Sequence, residues 1–470
     1  METETAKINR LIKEKSNNGL SEIEFFGREI ASWKNSHERK SQITGENYYK
    51  GKHDILSRKR MVIGVGGKLE CVENLPNNKI IDNQYAKMVD QKTNYLLGKP
   101  ITFDCENELY GQLLKKYFNS SFGRTIKYVG EDAINGGLGW LFIYYDNNST
   151  LCFKRLPAFE ILPFWADDDH TILDAAARLY RQEVWDGITK KIIERVELFK
   201  PDGIYRYILD GSTLIPDIEL GEYSPYITSE NKAYSWNKLP LIPFKYNKKE
   251  IPLIERVKSL QDSINIILSD FQNGMEQSPQ NSILVLKNYD GENLGEFRRN
   301  LATYSAVKVR GDGDVNTLSV EVSSENYKTI LEVLKKALIE NARGFDAKDD
   351  RLSGSPNQMN IQSMYSDIDL DANGMETEFK ASFEQLLWFV NQDMITKGLG
   401  DFTNEDVNII FNRDILINES ESIDNCLKSV GVLSDETIVS QHPWTVDAKK
   451  ELARLKSEKT TDDWGLTQNE

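Results

Sequence analysis

Two stretches of the chain carry an apolar residue at every third or fourth position. In "IPLIERVKSLQDSINIILSDFQNGM" these are Leu253, Val257, Leu260, Ile264, Ile267, Phe271 and Met275, after a proline suited to a first helical turn. The pattern predicts a rod of about 25 residues, roughly 37 Å at 1.5 Å per residue. In "ENYKTILEVLKKALIENARGF", Tyr327, Leu331, Leu334, Leu338, Ala342 and Phe345 share a face, with Lys328, Lys335, Lys336 and Arg343 largely off it. Between the rods, residues 278–323 contain two strand-like runs, "SILVLKN" and "SAVKVRG", with "NYDGEN" and "GDGD" as turns. The expectation is a helical pair capped by a small α/β knob.

A third long helix is predicted through Met375, Phe379, Phe383, Leu386, Val390 and Met394, with a kink at the "DANG" segment around Gly374. Upstream, to about residue 135, helical runs alternate with polar breaks. In "NQYAKMVDQKTNYLLGKPI", Ala86, Val89, Tyr95 and Leu96 lie near one face before Gly98-Lys-Pro stops the helix. From Trp140 to about Lys245, aromatic and β-branched runs such as "WLFIYY", "KIIERVELFK" and "GIYRYIL" are divided by "DNNS", "DGITK" and "PDG" turns, which predicts an antiparallel meander. The runs leave no room for crossover helices, which argues against a parallel doubly wound sheet. "DVNIIFNRDI" reads as a late strand. Residues 420–456 read as short helices, with Ser434 as a cap three residues before Thr437 and a proline-marked start in "HPWTVDAKKELARLK". The final "SEKTTDDWGLTQNE" is expected to fray. The fold class expected is therefore α+β.

Composition adds bounds. A chain of 470 residues with 39% hydrophobic content can bury substantial cores. Lys and Arg number 58 against 73 Asp and Glu, a net charge of -15, so the chain as a whole is no electrostatic clamp for a polyanion. Any nucleic-acid contact must be local or weak. The N-terminus has no apolar signal core and no window approaches the roughly 20 apolar residues of a membrane span. The chain is expected inside a cell, with no membrane partner. Cys71, Cys105, Cys152 and Cys426 are far apart in sequence, which favours buried, reduced thiols.

Enzymatic constellations are thin. "IGVGGKLE" has Gly64, Gly66, Gly67 and Lys68, but Leu69 stands where a phosphate-binding loop needs a hydroxyl, and a glycine turn between helical segments is the better reading. His37, His53, His170 and His442 have no metal-binding spacing. Asp167, Asp168 and Asp169 in "WADDDHT" have the chemistry to hold a divalent cation or act as an acid/base set, although adjacent carboxylates at a strand end are usually a solvated turn. Asp312 and Asp314 lack the downstream acidic ligand of a calcium loop. No catalytic residue and no cofactor are expected.

Several stretches together resemble the portal proteins of long-tailed double-stranded DNA bacteriophages, of the type found in phages of Gram-positive bacteria. They are "YYKGKHDI", "KIIDNQYAKMVDQKTNYLLGKPITF", "DDDHTILDAAARLYRQ", "LPLIPFKYNKKEIPLIERVKSLQDSINIILSDFQN", "GFDAKDDRLSGSPNQMNIQSMYSDIDLDANGMETEF", "NIIFNRD" and "LSDETIVSQHPWTVDAKKELARLKSE". Their order and spacing cover some four hundred residues; the end after residue 456 is short for the family.

The resemblance implies a ring, usually of twelve subunits, at one capsid vertex, through which DNA is packed and ejected. It implies a wing over 1–245, a first stem helix over 246–277, a clip over 278–323 and a second stem helix over 324–345. A tunnel loop over 346–358, the wing's kinked helix and returning strand over 359–419, and a crown and tail over 420–470 complete it. Lys348, Asp349, Asp350, Arg351, Ser353, Asn357 and Gln358 would face DNA, and Lys335, Lys336 and Arg343 are candidates to line the channel. Lys287, Asn288, Arg298, Arg299, Lys308 and Arg310 would meet partners at the clip. The partners implied are the terminase large subunit, a head-completion or adaptor protein, scaffolding protein and major capsid protein, with assembly in the host bacterial cytoplasm.

The loop composition suits that role. Each phosphate neutralised by Lys or Arg strengthens binding, so a conduit needs Lys348 and Arg351 tempered by Asp346, Asp349 and Asp350. Two other readings compete: a metal-dependent DNA-processing enzyme using Asp167 to Asp169, and an intracellular helical scaffold without an axial channel.

Overall fold

The computed structural model describes residues 21–63, 67–73, 75–229, 232–277, 282–287, 314–319, 324–346, 358–413, 419–445 and 448–465. The chain divides into two compact units, one of 1–46, 87–255 and 339–470, the other of 47–86 and 256–338.

The described residues open with α1 (Glu22–Trp33) and α2 (His37–Tyr49). Ser21 and Glu24 form a capping box, each side chain accepting from the other's backbone N–H and so pairing donors a helix start leaves open. A short hairpin follows, β1 (Met61–Ile63) against β2 (Leu69–Cys71), with Gly67 at φ +76° in the turn. The described residues of "IGVGGKLE", Ile63 and 67–70, therefore belong to a β-hairpin, not to a link between helices; Gly64, Val65 and Gly66 lie outside the described residues. After α3 (Gln84–Leu97) come β3 (Thr102–Asp104), α4 (Glu108–Tyr117) and α5 (Ser120–Gly136).

The expected meander resolves into two principal sheets. β4 (Leu138–Tyr145) is flanked by β5 (Leu151–Leu156) and by β14 (Leu241–Lys245), which returns from far along the chain. The second sheet runs in sequence order through β6 (Ile161–Trp165), β7 (Leu173–Asp186), β8 (Thr189–Lys200), β9 (Gly203–Asp210) and β10 (Thr213–Pro216), all antiparallel, with β11 (Tyr223–Ser224) also on β9. β12 (Ile227–Ser229) and β13 (Lys232–Tyr234) form a separate hairpin. One core draws from both sheets, with Trp140, Leu156, Trp165, Ala176 and Phe199 all buried. A second seats Phe25, Phe26 and Ile30 of α1 on Ala177, Val196 and Leu198. Burying each large apolar side chain contributes about 1.5–3 kcal/mol.

The long helices follow as α6 (Ile254–Gln277), α7 (Ser324–Asn341) and α8 (Gln358–Thr396). Between the first two, β15 (Ser282–Lys287) pairs antiparallel with β16 (Asp314–Ser319). The second strand thus starts at Asp314, the last residue of the "GDGD" expected as a turn, and "SAVKVRG" lies outside the described residues. α8 runs unbroken through Gly374. Its Phe379 and Phe383 are fully buried and meet Phe244 of β14 edge-on at 5.0 and 5.4 Å. The late strand is β17 (Asn408–Ile410), which pairs with β3. The chain ends in α9 (Glu419–Lys428), α10 (Asp435–Gln441) and α11 (Ala448–Gly465). Ser434 caps α10 by accepting from the Thr437 N–H, and α11 continues through most of the stretch expected to fray. No helix among the described residues is long and apolar enough to cross a membrane.

Candidate functional site

The buried face of α6 is not simply its apolar stripe. Leu253, Val257 and Ile264 are buried, but Leu260, Ile267 and Phe271 are only half-buried and Met275 is exposed. The rest of the interior face is polar: Gln261, Asn265, Ser269 and Asn273 recur every fourth residue and are at most 1% exposed. They hold the backbone of residues 78–85. The Asn273 Oδ1 accepts from the Asn78 N–H at 2.8 Å and the Ser269 Oγ from the Ile80 N–H at 2.9 Å. Asn265 Oδ1 accepts from the Asp82 N–H at 3.0 Å, and Gln261 Oε1 from the Tyr85 N–H at 2.9 Å. Four helical residues rise about 6.0 Å and two extended ones about 6.6 Å. From Asn78 to Asp82 alternate N–H groups therefore meet successive rungs, while Gln261 meets the Tyr85 N–H three residues further on, in the first turn of α3. Donors without a strand partner are thus paired by side chains.

A buried histidine completes this network. Asn265 Nδ2 donates to His53 Nδ1 at 2.7 Å, and His53 Nε2–H donates to the Tyr48 carbonyl at 3.0 Å. The ring also stacks on Tyr48 at 4.3 Å. A ring nitrogen that accepts must be unprotonated, so His53 is neutral, and burial pushes its pKa down. Nearby, Lys258 bridges Asp54 at 2.6 Å and Asp262 at 2.7 Å, and Asp262 accepts from the Tyr48 hydroxyl at 2.6 Å.

α7 is different. Leu338 and Ala342 are buried, yet Tyr327, Leu331 and Leu334 are half-buried, and Ile330 and Val333 are 44% and 57% exposed. Phe271 and Tyr327 touch at 5.0 Å between ring centroids.

The charged residues singled out in the sequence are distributed as follows. Lys335 pairs with Asp82 at 2.6 Å, whereas Lys336 is exposed. Arg343 is half-exposed, 3.7 Å from the Asp371 carboxylate. Gln358 is the first residue of α8, and Lys287 of β15 lies opposite Asp314. Lys348, Asp349, Asp350, Arg351, Ser353 and Asn357 lie outside the described residues, as do Asn288, Arg298, Arg299, Lys308 and Arg310.

The acidic trio does not assemble as a metal site. Asp167 turns inward on its own loop, accepting from the N–H groups of Thr171 and Ile172 and from the Thr171 hydroxyl at 2.7 Å. Slight burial raises its pKa, but these hydrogen bonds outweigh that and hold it low. Asp168 and Asp169 point to solvent. Among the described residues no group of three or more His, Cys, Asp or Glu side chains is arranged to hold a metal ion. The four cysteines are free, but only Cys426 is buried; Cys71 is exposed, because it ends a short surface strand.

The ladder of Gln261, Asn265, Ser269 and Asn273 escaped the periodicity argument, which weighs only apolar positions. Its signal was present as short polar side chains at a strict spacing of four within a helix.

A family model described as "Phage portal protein, SPP1 Gp6-like" matches residues 32–463. The portal protein of Bacillus phage SPP1 is 28% identical over 427 residues, covering 90% of this chain and 84% of that protein. The portal protein of Clostridium phage phiCD119 is 26% identical over 448 residues, covering 91% and 95%. A chain from the neck of an empty GTA particle aligns with a TM-score of 0.37 and 11% identity, over 75% of this chain and 87% of that one. With both long helices, the intervening hairpin and α8 all inside the matched region, the chain belongs to the phage portal proteins of the SPP1 Gp6-like family.

Proposed function

We propose that the chain closes into a ring of about a dozen copies at one vertex of the capsid and conducts double-stranded DNA during packaging and ejection. The observation that carries this reading is the extent of the family match, residues 32–463, which spans most of the chain. In this reading 1–245 and 359–419 are wing, α6 and α7 the stem, 278–323 the clip and 420–470 the crown. The loop at 346–358 faces DNA through Lys348, Asp349, Asp350, Arg351, Ser353, Asn357 and Gln358. Lys336 is the stem cation best suited to the channel, because Lys335 and Arg343 have carboxylates nearby. The clip residues Lys287, Asn288, Arg298, Arg299, Lys308 and Arg310 meet the terminase large subunit and later the head-completion protein, and scaffolding and major capsid proteins are further partners.

Ring closure needs two different, complementary faces on each subunit. The half-exposed apolar positions of α6 and α7 support such contacts, since burying them is favourable in proportion to the area removed from water. Negative-stain imaging of the purified protein, with its mass in solution, tests the proposal. Rings with a central hole are expected; a chain that stays monomeric or dimeric at high concentration and never enters capsids overturns it.

A further inference from the structure

The end of α7 is held from outside itself. Arg343 N–H bonds to the Glu340 carbonyl and Gly344 N–H to the Ile339 carbonyl, the two bonds of a Schellman ending. The residue in the left-handed region is Arg343, at φ +51°, where glycine is usual. The glycine sits one position later for a different reason: a Cβ on Gly344 would lie 2.5 Å from Met88 Sδ and 3.1 Å from Gln91 Oε1 of α3. Close packing against α3, not the left-handed turn, fixes glycine in "NARGF".

Three further hydrogen bonds fasten residues 343–345 to α3. The Gln91 amide meets Phe345 twice, its Oε1 accepting from the Phe345 N–H at 2.8 Å and its Nε2 donating to the Phe345 carbonyl at 2.7 Å. Only an amide supplies both halves of that pairing. Lys92, 4% exposed, donates to the Arg343 carbonyl at 3.0 Å, where a helix end favours a cation, and to Asp371 of α8 at 2.7 Å. The Phe345 ring stacks on Tyr365 of α8 at 4.4 Å, and Tyr365 on Tyr95 of α3 at 5.7 Å.

We propose that Gln91 and Lys92 are positioning residues for the passage of DNA: they fix the point where the chain leaves the second stem helix for the 346–358 loop. This rests on the reading that the loop faces DNA. A helix end carrying a non-glycine residue in the left-handed region gains little from its own cap, so an unclamped exit would yield under load by unwinding its last turn. Clamped, it passes a displacement of the loop to α3 and α8.

The test uses procapsids built with the variant chain. Gln91→Leu removes both bonds to Phe345, and Gln91→Glu, of the same shape, keeps the acceptor and loses the donor. Both should give rings of parental mass. Hydrogen exchange at the Phe345 amide should be faster by about fivefold or more in Gln91→Leu and near parental in Gln91→Glu. The DNA length packaged per ring should fall in both, further in Gln91→Leu. A replacement of 346–358 by a short Gly/Ser linker runs beside them. If the linker impairs packaging and Gln91→Leu does not, the positioning role fails and the loop reading stands. If the linker packages normally, the loop reading itself fails. Loss of ring assembly in both Gln91 variants would also overturn the proposal, because the pair would then serve folding rather than positioning.

Discussion

The helices α6 and α7 read alike in the sequence, each a rod with an apolar stripe, but they spend their buried surface differently. The interior of α6 is a polar ladder whose side-chain oxygens all accept bonds from residues 78–85, with Asn265 at its centre, while Asn273 Nδ2 is buried without a partner among the described residues. α7 buries its apolar residues mainly towards its C-terminal end and leaves Ile330 and Val333 in contact with water. Both helices thus leave apolar side chains in water, Ile266 and Met275 on α6 as well as Ile330 and Val333 on α7, but only α6 adds a buried polar ladder. Buried polar groups are costly when unpaired, so the ladder favours this arrangement of residues 78–85 over others that would break its bonds.

The largest expected effect is at the ladder. Asn265→Ala leaves the Asp82 N–H, the Gln261 amide and His53 Nδ1 without a shared partner, and should cost on the order of 3 kcal/mol, read by urea unfolding of the purified chain. An unchanged midpoint would mean that the ladder is dispensable.

The second effect depends on pH. The pKa of His53 is lowered on folding, so as pH falls below about 6.5 the unfolded chain takes up a proton that the folded chain does not. Stability should fall by up to about 1.4 kcal/mol per pH unit from there down to the folded pKa, and be fully present above pH 6.5. A His53→Asn variant, compared with the parent across pH 5 to 7, should have a flatter profile. An equally steep profile would remove His53 as the cause.

The smallest effect on the subunit is expected on the other helix. Val333→Lys, at a 57% exposed position, should change unfolding by no more than about 0.5 kcal/mol. Yet it should reduce ring formation, as measured by mass in solution. If it destabilises the subunit as much as Asn265→Ala does, the contrast between the two helices collapses.

Much of the fold was legible from local pattern. The three long helices, the late strand near Ile409 and the Ser434 cap follow from periodicity and capping chemistry, which act within a few residues. What escaped was nonlocal. β14 joins β4 across about a hundred residues of sequence, which divides an apparent meander into two sheets. The hairpin around Gly67 was hidden because a phosphate-loop comparison says nothing about the strands on either side. Gln91 and Gly344 matter only because α3 lies beside the end of α7, a proximity no single segment encodes. The charges nominated for DNA were recognisable only through family resemblance, since solvated lysines look the same on any surface.

The matched rise of the ladder and its extended partner also bears on how this chain can evolve. A single residue inserted between Asn78 and Asp82 would turn the Asp82 N–H away from Asn265, since successive positions of an extended chain face opposite sides. Two inserted residues would restore the alternation at the expense of a bulge. Length variation among related chains should therefore be rare across residues 78–82 and arrive in pairs when it occurs, while substitutions at Lys79 and Ile81, between the rungs, drift more freely.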